Sequence, residues 1–257
     1  MKLCCTSYSY REPLKSGTMK VEDFITVAYE IGLDGVELVS YFFPTFERTY
    51  LSKIKRLALN HGMDIVVFGV STNFCHPDPQ KRKEEIKRVR KWLEIAEFLG
   101  APALRIFAGH VPEGYSEEDA FQWVVTSLKE AVKYAENMGI VLAMENHGGI
   151  TSTADNVIRI IEEVGSEWLR ALLDTGNYRE NVYENIAKTA PYAIHVHAKF
   201  YEVTEDGREK NLDYNRIVSI LRDAGFKGYL SIEYEGKEDP KVAVPRIAKF
   251  LRELLKK

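Results

Sequence analysis

Residues 136–147, ENMGIVLAMENH, show the pattern of helix end, strand and polar strand end from which the fold of this chain can be predicted. A helical run ends at Gly139, a short apolar strand follows, and the strand ends in the polar residues Glu145-Asn146-His147. Glycine commonly follows the last turn of a helix. A short apolar run without alternation is typical of a strand in a buried parallel sheet. The stretch therefore predicts a helix-to-strand connection in an α/β protein.

The same phrase recurs along the chain, because six glycines closely follow helical stretches: Gly32, Gly62, Gly100, Gly139, Gly165 and Gly225. Short apolar runs alternate with longer amphipathic runs, and we count eight such pairs. The predicted strands are residues 2–7, 34–39, 63–69, 102–107, 139–145, 169–174, 192–197 and 228–234. The predicted helices are residues 20–31, 47–61, 80–99, 116–138, 153–164, 180–188, 213–224 and 241–256.

Eight strand–helix pairs in 257 residues match a (β/α)₈ TIM barrel. A doubly wound open sheet is the alternative, but it usually has fewer strands and a glycine-rich phosphate-binding turn after the first strand. Here the first strand leads into Ser7-Tyr8-Ser9-Tyr10-Arg11-Glu12, which contains no glycine. No linker rich in Pro, Gly or Ser divides the chain, so residues 1–257 are predicted to form a single domain.

The composition argues against several classes of protein. The 35 Lys and Arg residues nearly balance 38 Asp and Glu residues, so the chain lacks the basic excess of a nucleic-acid or anionic-membrane surface. No apolar run approaches the roughly 18 residues of a membrane span, and the start turns polar too soon for a signal peptide. Three cysteines cannot form a disulfide framework. We expect a soluble cytoplasmic protein with neither nucleic-acid nor membrane partners.

Polar residues stand at the ends of the last four predicted strands, where barrel enzymes carry their chemistry. These residues are Glu145, Asp174, His197 and Glu233. Side chains two residues apart share one face of a strand. Leu230 and Ile232 would face the helices, which points Glu233 into the barrel, and the same alternation points Glu145 and His197 inward. The sequence therefore predicts three acids and one imidazole at one barrel mouth.

Three carboxylates at one mouth would repel each other and would be costly to bury without a cation. Three oxygen donors and one imidazole favour Mn²⁺, Mg²⁺ or Co²⁺ over a thiolate-type zinc site. Taken singly, a glutamate at a strand end is more often a cap or a rim salt bridge, and a histidine in an apolar run is more often part of the core. Four such residues on successive strands, with matching alternation, favour a metal site.

Four motifs extend these positions into a recognisable pattern: Glu145-Asn146-His147, Leu173-Asp174-Thr175-Gly176-Asn177, His195-Val196-His197-Ala198-Lys199 and Gly228-Tyr229-Leu230-Ser231-Ile232-Glu233. Together they resemble the xylose isomerase-like TIM-barrel superfamily. More narrowly, the chain is similar to the sugar phosphate isomerase/epimerase family, which includes ketose 3-epimerases, hydroxypyruvate isomerase and inosose dehydratase. The likeness covers nearly the whole chain. The motifs are specific for the superfamily and its metal site but not for the substrate, since one scaffold serves isomerases, epimerases, lyases and endonucleases.

The resemblance implies that Glu145, Asp174, His197 and Glu233 bind one divalent metal, usually Mn²⁺, with Mg²⁺, Co²⁺ or Zn²⁺ as alternatives. It also implies that Glu145 and Glu233 are the catalytic acid and base. A metal that chelates a carbonyl and the adjacent hydroxyl acidifies a neighbouring C–H and stabilises the resulting cis-enediolate. Proton return to the opposite face gives epimerisation, and return to the neighbouring carbon gives aldose–ketose isomerisation. We expect such an isomerase or epimerase, acting on a small ketose or related hydroxy-carbonyl compound.

Three further residues are predicted to contact the substrate: Lys199, Asn177 and His147. Lys199 shares its strand face with His197, and the alternative is a salt bridge to a nearby carboxylate. Asn177 stands where the resembling epimerases carry a histidine, which weakens the case for an epimerase. His147 has two equally favoured interpretations: it contacts the substrate, or it contacts and supports a metal ligand.

Other inward-facing residues are predicted to support the scaffold. Arg105 and Glu37 are expected to pair with each other, since a lone buried charge is costly. His195 is expected one layer below His197, either in the core or in contact with a group that supports a metal ligand. Candidates for the pocket wall are Tyr8, Phe68, Phe107 and His110.

The loops after strands 7 and 8 indicate whether the substrate carries a phosphate. The polar segment 200–213 is expected to form a mobile lid or a hairpin. TIM-barrel phosphate sites normally use these loops, but residues 235–239 read EGKED, so we expect an unphosphorylated sugar.

Three alternative functions remain. A dehydratase of the inosose or dehydroshikimate type would begin with the same proton abstraction. An apurinic-site endonuclease is disfavoured because the chain has only six histidines and an acidic balance. A non-catalytic sugar-binding barrel would leave the predicted ligand set idle. The family resemblance also allows a homodimer.

Overall fold

The computed structural model describes residues 1–256, in which eight parallel strands close into one barrel in chain order. The strands are β1 (Lys2–Thr6), β2 (Gly35–Val39), β3 (Asp64–Gly69), β4 (Ala103–Phe107), β5 (Val141–Glu145), β6 (Leu169–Asp174), β7 (Ala193–Phe200) and β8 (Tyr229–Tyr234). Pairing of β8 with β1 closes the barrel. The predicted TIM barrel is confirmed.

Helices surround the barrel and connect its strands. They are α1 (Arg11–Lys15), α2 (Val21–Glu30), α3 (Arg48–Asn60), α4 (Pro79–Leu99), α5 (Glu117–Met138), α6 (Ala154–Val164), α7 (Val182–Thr189), α8 (Tyr214–Asp223) and α9 (Pro240–Lys256). The short α1 was not predicted, and β7 runs three residues beyond its predicted end, to Phe200. Among the helices of residues 1–256, none combines the length and the apolar character that crossing a membrane requires.

Local caps set where the chain turns from helix to strand. Helices α4, α5 and α6 start at side-chain caps that accept a backbone N–H: Asp78, Ser116 and Thr153. The same three helices end at a glycine in the left-handed conformation: Gly100, Gly139 and Gly165. Such caps satisfy terminal N–H and C=O groups and stop a helix abruptly. The chain is thereby redirected into β4, β5 and β6.

Two apolar groups hold the barrel. The larger group lies between the strands and the helices and contains the outward-facing residues Leu230 and Ile232, as predicted. A smaller group contains inward-facing residues such as Cys4, Ala143 and Leu172. In each of these strands, the polar residue at the carboxyl end comes two residues after the apolar one. The apolar group therefore underlies the buried polar residues at the carboxyl ends of the strands.

The segment between β7 and α8 is a hairpin rather than an extended loop. Val203 and Glu209 form an antiparallel bridge, and the buried Glu209 carboxylate accepts the N–H groups of Tyr201 and Glu202 at 2.7 and 3.0 Å. The tip residue Gly207 lies against the backbone of α9. Of the two expected forms, lid or hairpin, the structure has the hairpin, packed on α9.

Substituting Ala at Gly207 is expected to destabilise the protein more than the same change at Gly225. Both glycines have left-handed φ values, +85° and +75°, where a side chain costs about 1–2 kcal/mol. An added Cβ at Gly207 would also overlap the carbonyl of Arg246, whereas at Gly225 nothing lies within 4 Å. We expect Gly225→Ala to lose about 1–2 kcal/mol and Gly207→Ala roughly 2–5 kcal/mol. Guanidinium unfolding measures both losses, and equal values would contradict packing of the hairpin on α9.

Candidate active site

Four side chains from consecutive strands converge at the carboxyl end of the barrel. Glu145, Asp174, His197 and Glu233 each offer one ligand-type atom, and these atoms lie within 4.8 Å of one another. We call these four residues the carboxylate–histidine cluster. His197 Nδ1 lies 3.2 Å from Glu233 Oε2, 3.7 Å from Asp174 Oδ2 and 3.9 Å from Glu145 Oε1. All four residues are buried.

Three buried atoms of the cluster make no hydrogen bond of acceptable geometry: Asp174 Oδ2, His197 Nδ1 and Glu233 Oε2. The two oxygens have an ion-pair contact with Lys199 Nζ, whereas His197 Nδ1 faces the carboxylates. Buried polar atoms without partners are costly, so a native structure normally satisfies them. A cation bound between them would do so, and three carboxylates with one imidazole are donors that Mn²⁺ and Mg²⁺ accept. The residues therefore fit a divalent metal ion. Their assignment as ligands stays a prediction.

The turn after β6 holds Asp174 in place. Its Oδ1 accepts the N–H groups of Gly176 and Asn177 at 2.8 and 3.0 Å, which leaves Oδ2 to face the cluster. The Asn146 amide joins β5 to β6, because its Oδ1 accepts the Asp174 N–H at 2.7 Å and its Nδ2 donates to the Asp174 carbonyl at 3.0 Å. Asn146 was not among the residues predicted to form the site. Its position directly after Glu145 was the available signal.

Burial and neighbouring charges move the pKa values of the two glutamates in opposite directions. Burial raises the pKa of Glu145 well above its usual range, although the charges of His197 and Arg105 act against this rise. Burial also tends to raise the pKa of Glu233, but His197 and Lys199 outweigh it and hold this pKa well below its usual range. Two carboxyls with separated pKa values are suited to acid and base roles.

The predicted pairing of Arg105 with Glu37 is wrong. Arg105 Nε lies 3.5 Å from Glu145 Oε2, and its guanidinium stacks over the Phe107 ring at 4.2 Å. The missing side chain of Gly69 makes room, since a Cβ there would lie 2.9 Å from Arg105 Nη2. In the barrel β4 lies next to β5 and two strands from β2. Arg105 therefore reaches the adjacent carboxylate rather than Glu37.

Lys199 is buried among carboxylates. Its Nζ lies 3.0 Å from Asp174 Oδ2, 2.5 Å from Glu233 Oε2 and 2.5 Å from Glu235 Oε1. Burial lowers the pKa of Lys199, but these acids outweigh burial and raise it well above its usual range. The salt bridge that was the alternative at this position is therefore present. A substrate contact by Lys199 stays a prediction.

The other predicted contact residues lie around Glu145. Asn177 Nδ2 donates to Glu145 Oε1 at 3.2 Å. The His147 ring packs on Phe107, with ring centroids 4.2 Å apart. Their contacts with a substrate stay predictions.

The prediction that Phe68 lines the pocket wall is wrong. Its neighbour Gly69 faces Arg105 inside the barrel, so strand alternation turns Phe68 toward the helices, where it packs on Phe43 and Trp92. Tyr8 is half-buried under the Arg11 guanidinium, and His110 is exposed beside the loop after β5.

Comparisons with known proteins agree with this architecture. The family model for the xylose isomerase-like TIM barrel matches residues 25–254. Fructoselysine 3-epimerase from Escherichia coli O157:H7 is 24% identical over 237 residues, which cover 84% of this chain and 86% of that relative.

Solved structures show the same fold. The D-psicose 3-epimerase from Clostridium cellulolyticum H10, crystallised with D-tagatose, superposes with a TM-score of 0.78 at 17% identity, covering 100% of this chain and 97% of that chain. A probable 3-DHS dehydratase from Bacillus anthracis superposes with a TM-score of 0.78 at 17% identity, covering 98% and 99% of the two chains.

Proposed function

Because the chain belongs to the xylose isomerase-like TIM barrel family, we propose that it is a divalent-metal-dependent sugar isomerase or epimerase that acts through a cis-enediolate. The observation that carries this proposal is the carboxylate–histidine cluster, in which three buried carboxylates and one imidazole converge at one point of the barrel mouth. The reaction class is supported by the similarity to fructoselysine 3-epimerase over most of both chains. The substrate would be a small ketose or a related hydroxy-carbonyl compound.

The four residues of the cluster would hold the metal, which we propose to be Mn²⁺, with Mg²⁺, Co²⁺ and Zn²⁺ as ions that the same donors accept. When bound, the ion would polarise the substrate carbonyl and so make the adjacent C–H more acidic. The residues of the chain would transfer the proton, orient the substrate and exclude water. Burial of the cluster would keep bulk water away from the reacting carbons.

Glu145 and Glu233 would move the proton. They lie at the ends of β5 and β8, three strands apart around the mouth, and approach His197 Nδ1 to 3.9 and 3.2 Å. A substrate between them would therefore present opposite faces to the two carboxyls. One glutamate would remove the proton next to the carbonyl and the other would return it, to the opposite face in an epimerisation or to the neighbouring carbon in an isomerisation.

Lys199, Asn177 and His147 would orient the substrate. The Lys199 ammonium would offset the negative charge that develops on the substrate oxygens. Asn177, already hydrogen-bonded to Glu145 Oε1, would place that carboxyl and bind a hydroxyl. We propose an unphosphorylated substrate, because the loop after β8 is acidic and its Glu235 lies 2.5 Å from Lys199 Nζ. A soluble cytoplasmic homodimer is the form we propose for the enzyme.

A dehydratase is the second candidate. Asn177 departs from the histidine of the epimerases, and the Lys199 ammonium lies beside Glu233 and Asp174, where it would stabilise the negative charge on a leaving hydroxyl. The fold is shared with a probable 3-DHS dehydratase. Such an enzyme would begin with the same proton abstraction and would then release water.

Solvent-deuterium exchange tests the proposal and separates the candidates. Protein loaded with Mn²⁺ would be incubated in D₂O with ketoses, hydroxypyruvate and inosose, and the recovered compounds would be analysed by NMR. We expect deuterium on the carbon next to a carbonyl, without loss of water and only in the presence of the metal. Release of water would assign the protein to the dehydratases. Absence of exchange with every compound would contradict the proposed substrate class.

A further inference from the structure

Glu37 lies below the carboxylate–histidine cluster and collects three hydrogen bonds inside the barrel. Its fully buried carboxylate accepts the Nε2–H of His195 at 3.0 Å, the Nε2–H of His197 at 2.9 and 3.0 Å, and the Ser231 hydroxyl at 3.0 Å. Within residues 1–256, no lysine or arginine forms an ion pair with it. Glu37 is thus held by two histidines and a serine from β7 and β8.

These contacts decide which nitrogen of His197 carries a hydrogen. An ionised carboxylate only accepts hydrogen bonds, so the His197 nitrogen that faces Glu37 must be the donor. That nitrogen is Nε2, and it leaves Nδ1 as the atom that faces Glu145, Asp174 and Glu233. Nδ1 is also the atom that has no hydrogen-bond partner.

Carboxylates lie on both sides of the His197 ring. The three carboxylates within 3.9 Å of Nδ1 favour a hydrogen on that atom as well, and a cation at the centre of the cluster would displace it. Glu37 is the acceptor that keeps the other hydrogen on Nε2. His195 and Ser231 bind the same carboxylate and hold it in place for His197.

We propose that Glu37 is a positioning residue that fixes His197 as the Nε2–H tautomer, with the Nδ1 lone pair aimed at the divalent cation in the cluster. The inference rests on the proposed function, because it takes the cluster as the metal site. A carboxylate behind a metal-binding imidazole orients the ring and increases its basicity, and loss of such a partner typically costs about 10–100-fold in metal affinity.

The group Glu37, His195 and His197 has one alternative use, as a second cation site. The contacts of 2.9–3.0 Å are those of direct N–H···O hydrogen bonds. A cation there would have to displace the hydrogens from both rings. The distances therefore favour the hydrogen-bonded arrangement, and the number of ions bound per chain distinguishes the two.

The test uses the full chain, stripped of metal. Titration with Mn²⁺, followed by electron paramagnetic resonance, gives the affinity and the stoichiometry. Protein labelled with ¹⁵N-histidine and loaded with diamagnetic Mg²⁺ gives the tautomer of the histidine whose signal responds to the ion. We expect one Mn²⁺ per chain, an Nε2–H tautomer in the wild type, and an affinity about 10–100-fold lower in Glu37→Gln, with a mixture of tautomers.

Glu85→Gln is the matched control. Glu85 is also a buried glutamate, 8% exposed, but it accepts the N–H of Asn73 at 3.2 Å outside the barrel. This variant should keep wild-type Mn²⁺ affinity. A folded Glu37→Gln variant with wild-type affinity and tautomer would overturn the inference. A second Mn²⁺ that Glu37→Gln loses would overturn it as well.

The wild-type spectrum decides the matter if Glu37→Gln does not fold, because a hydrogen on Nδ1 in the Mg²⁺-loaded protein contradicts the inference directly. Failure of the proposed function has a different signature. If the wild type binds no Mn²⁺, the proposed function is wrong about the metal. The NMR signals of the Nε2–H groups in the metal-free protein would then still show whether Glu37 holds a hydrogen on Nε2 of His197. Absence of these signals would overturn the positioning role of Glu37.

Discussion

Glu145→Gln and Glu233→Gln are each expected to lower turnover by at least about a thousandfold and to leave the barrel folded. A positioned acid or base contributes about 10²–10⁴-fold to a rate, and each of these glutamates is also a candidate metal ligand. Glutamine keeps the size of the side chain but cannot exchange a proton with carbon. Turnover would be measured on the substrate found by deuterium exchange, and folding by circular dichroism and thermal unfolding.

The two variants should differ in the partial reaction that remains. If each glutamate serves one face of the substrate, Glu145→Gln should still exchange deuterium into one epimer and Glu233→Gln only into the other. An isomerase that uses one base would instead lose exchange in one variant alone. Wild-type turnover in either variant would reject that residue as acid or base. Glu85→Gln again serves as the control for replacing a buried glutamate outside the barrel.

The barrel was predictable because its signals are local. A glycine after a helix, a capping side chain before one and an apolar run between them are read from neighbouring residues, and they placed every strand within three residues of its observed bounds. The cluster followed from the same signals. Strand alternation gives the direction of a side chain, and barrel closure brings the ends of β5 to β8 to one mouth.

Contacts across the barrel were not predictable in this way. Arg105 and Glu37 were correctly placed inside, but they pair with Glu145 and with two histidines, because the partner depends on which strands are adjacent and on how far each side chain reaches. The Asn146 amide that joins β5 to β6 has no sequence periodicity to reveal it. The partners of Arg105 and Glu37 and the contacts of Asn146 all depend on which residues are neighbours in the folded barrel.

Asp174→Asn is expected to weaken Mn²⁺ binding by more than about 100-fold, since it alters a proposed ligand and loss of a residue that only supports a ligand already costs about 10–100-fold. The amide that replaces the carboxylate has a single oxygen. That oxygen is needed by the N–H groups of Gly176 and Asn177, which Oδ1 of Asp174 accepts at 2.8 and 3.0 Å. The amide NH₂ would then stand in the place of Oδ2, where it faces the Lys199 ammonium and cannot bind a cation.

The reversed amide does not rescue the site. It would return an oxygen to the cluster, but it would aim NH₂ hydrogens at the Gly176 and Asn177 N–H groups and break the turn. Asp174→Ala lacks both oxygens, so it should lose the metal and also about 1–3 kcal/mol of stability. Elemental analysis and Mn²⁺ titration measure binding, with the exposed Asp155→Asn as control. Unchanged metal content in Asp174→Asn would show that the cation does not bind at Oδ2. Asp174 would then be rejected as a metal ligand.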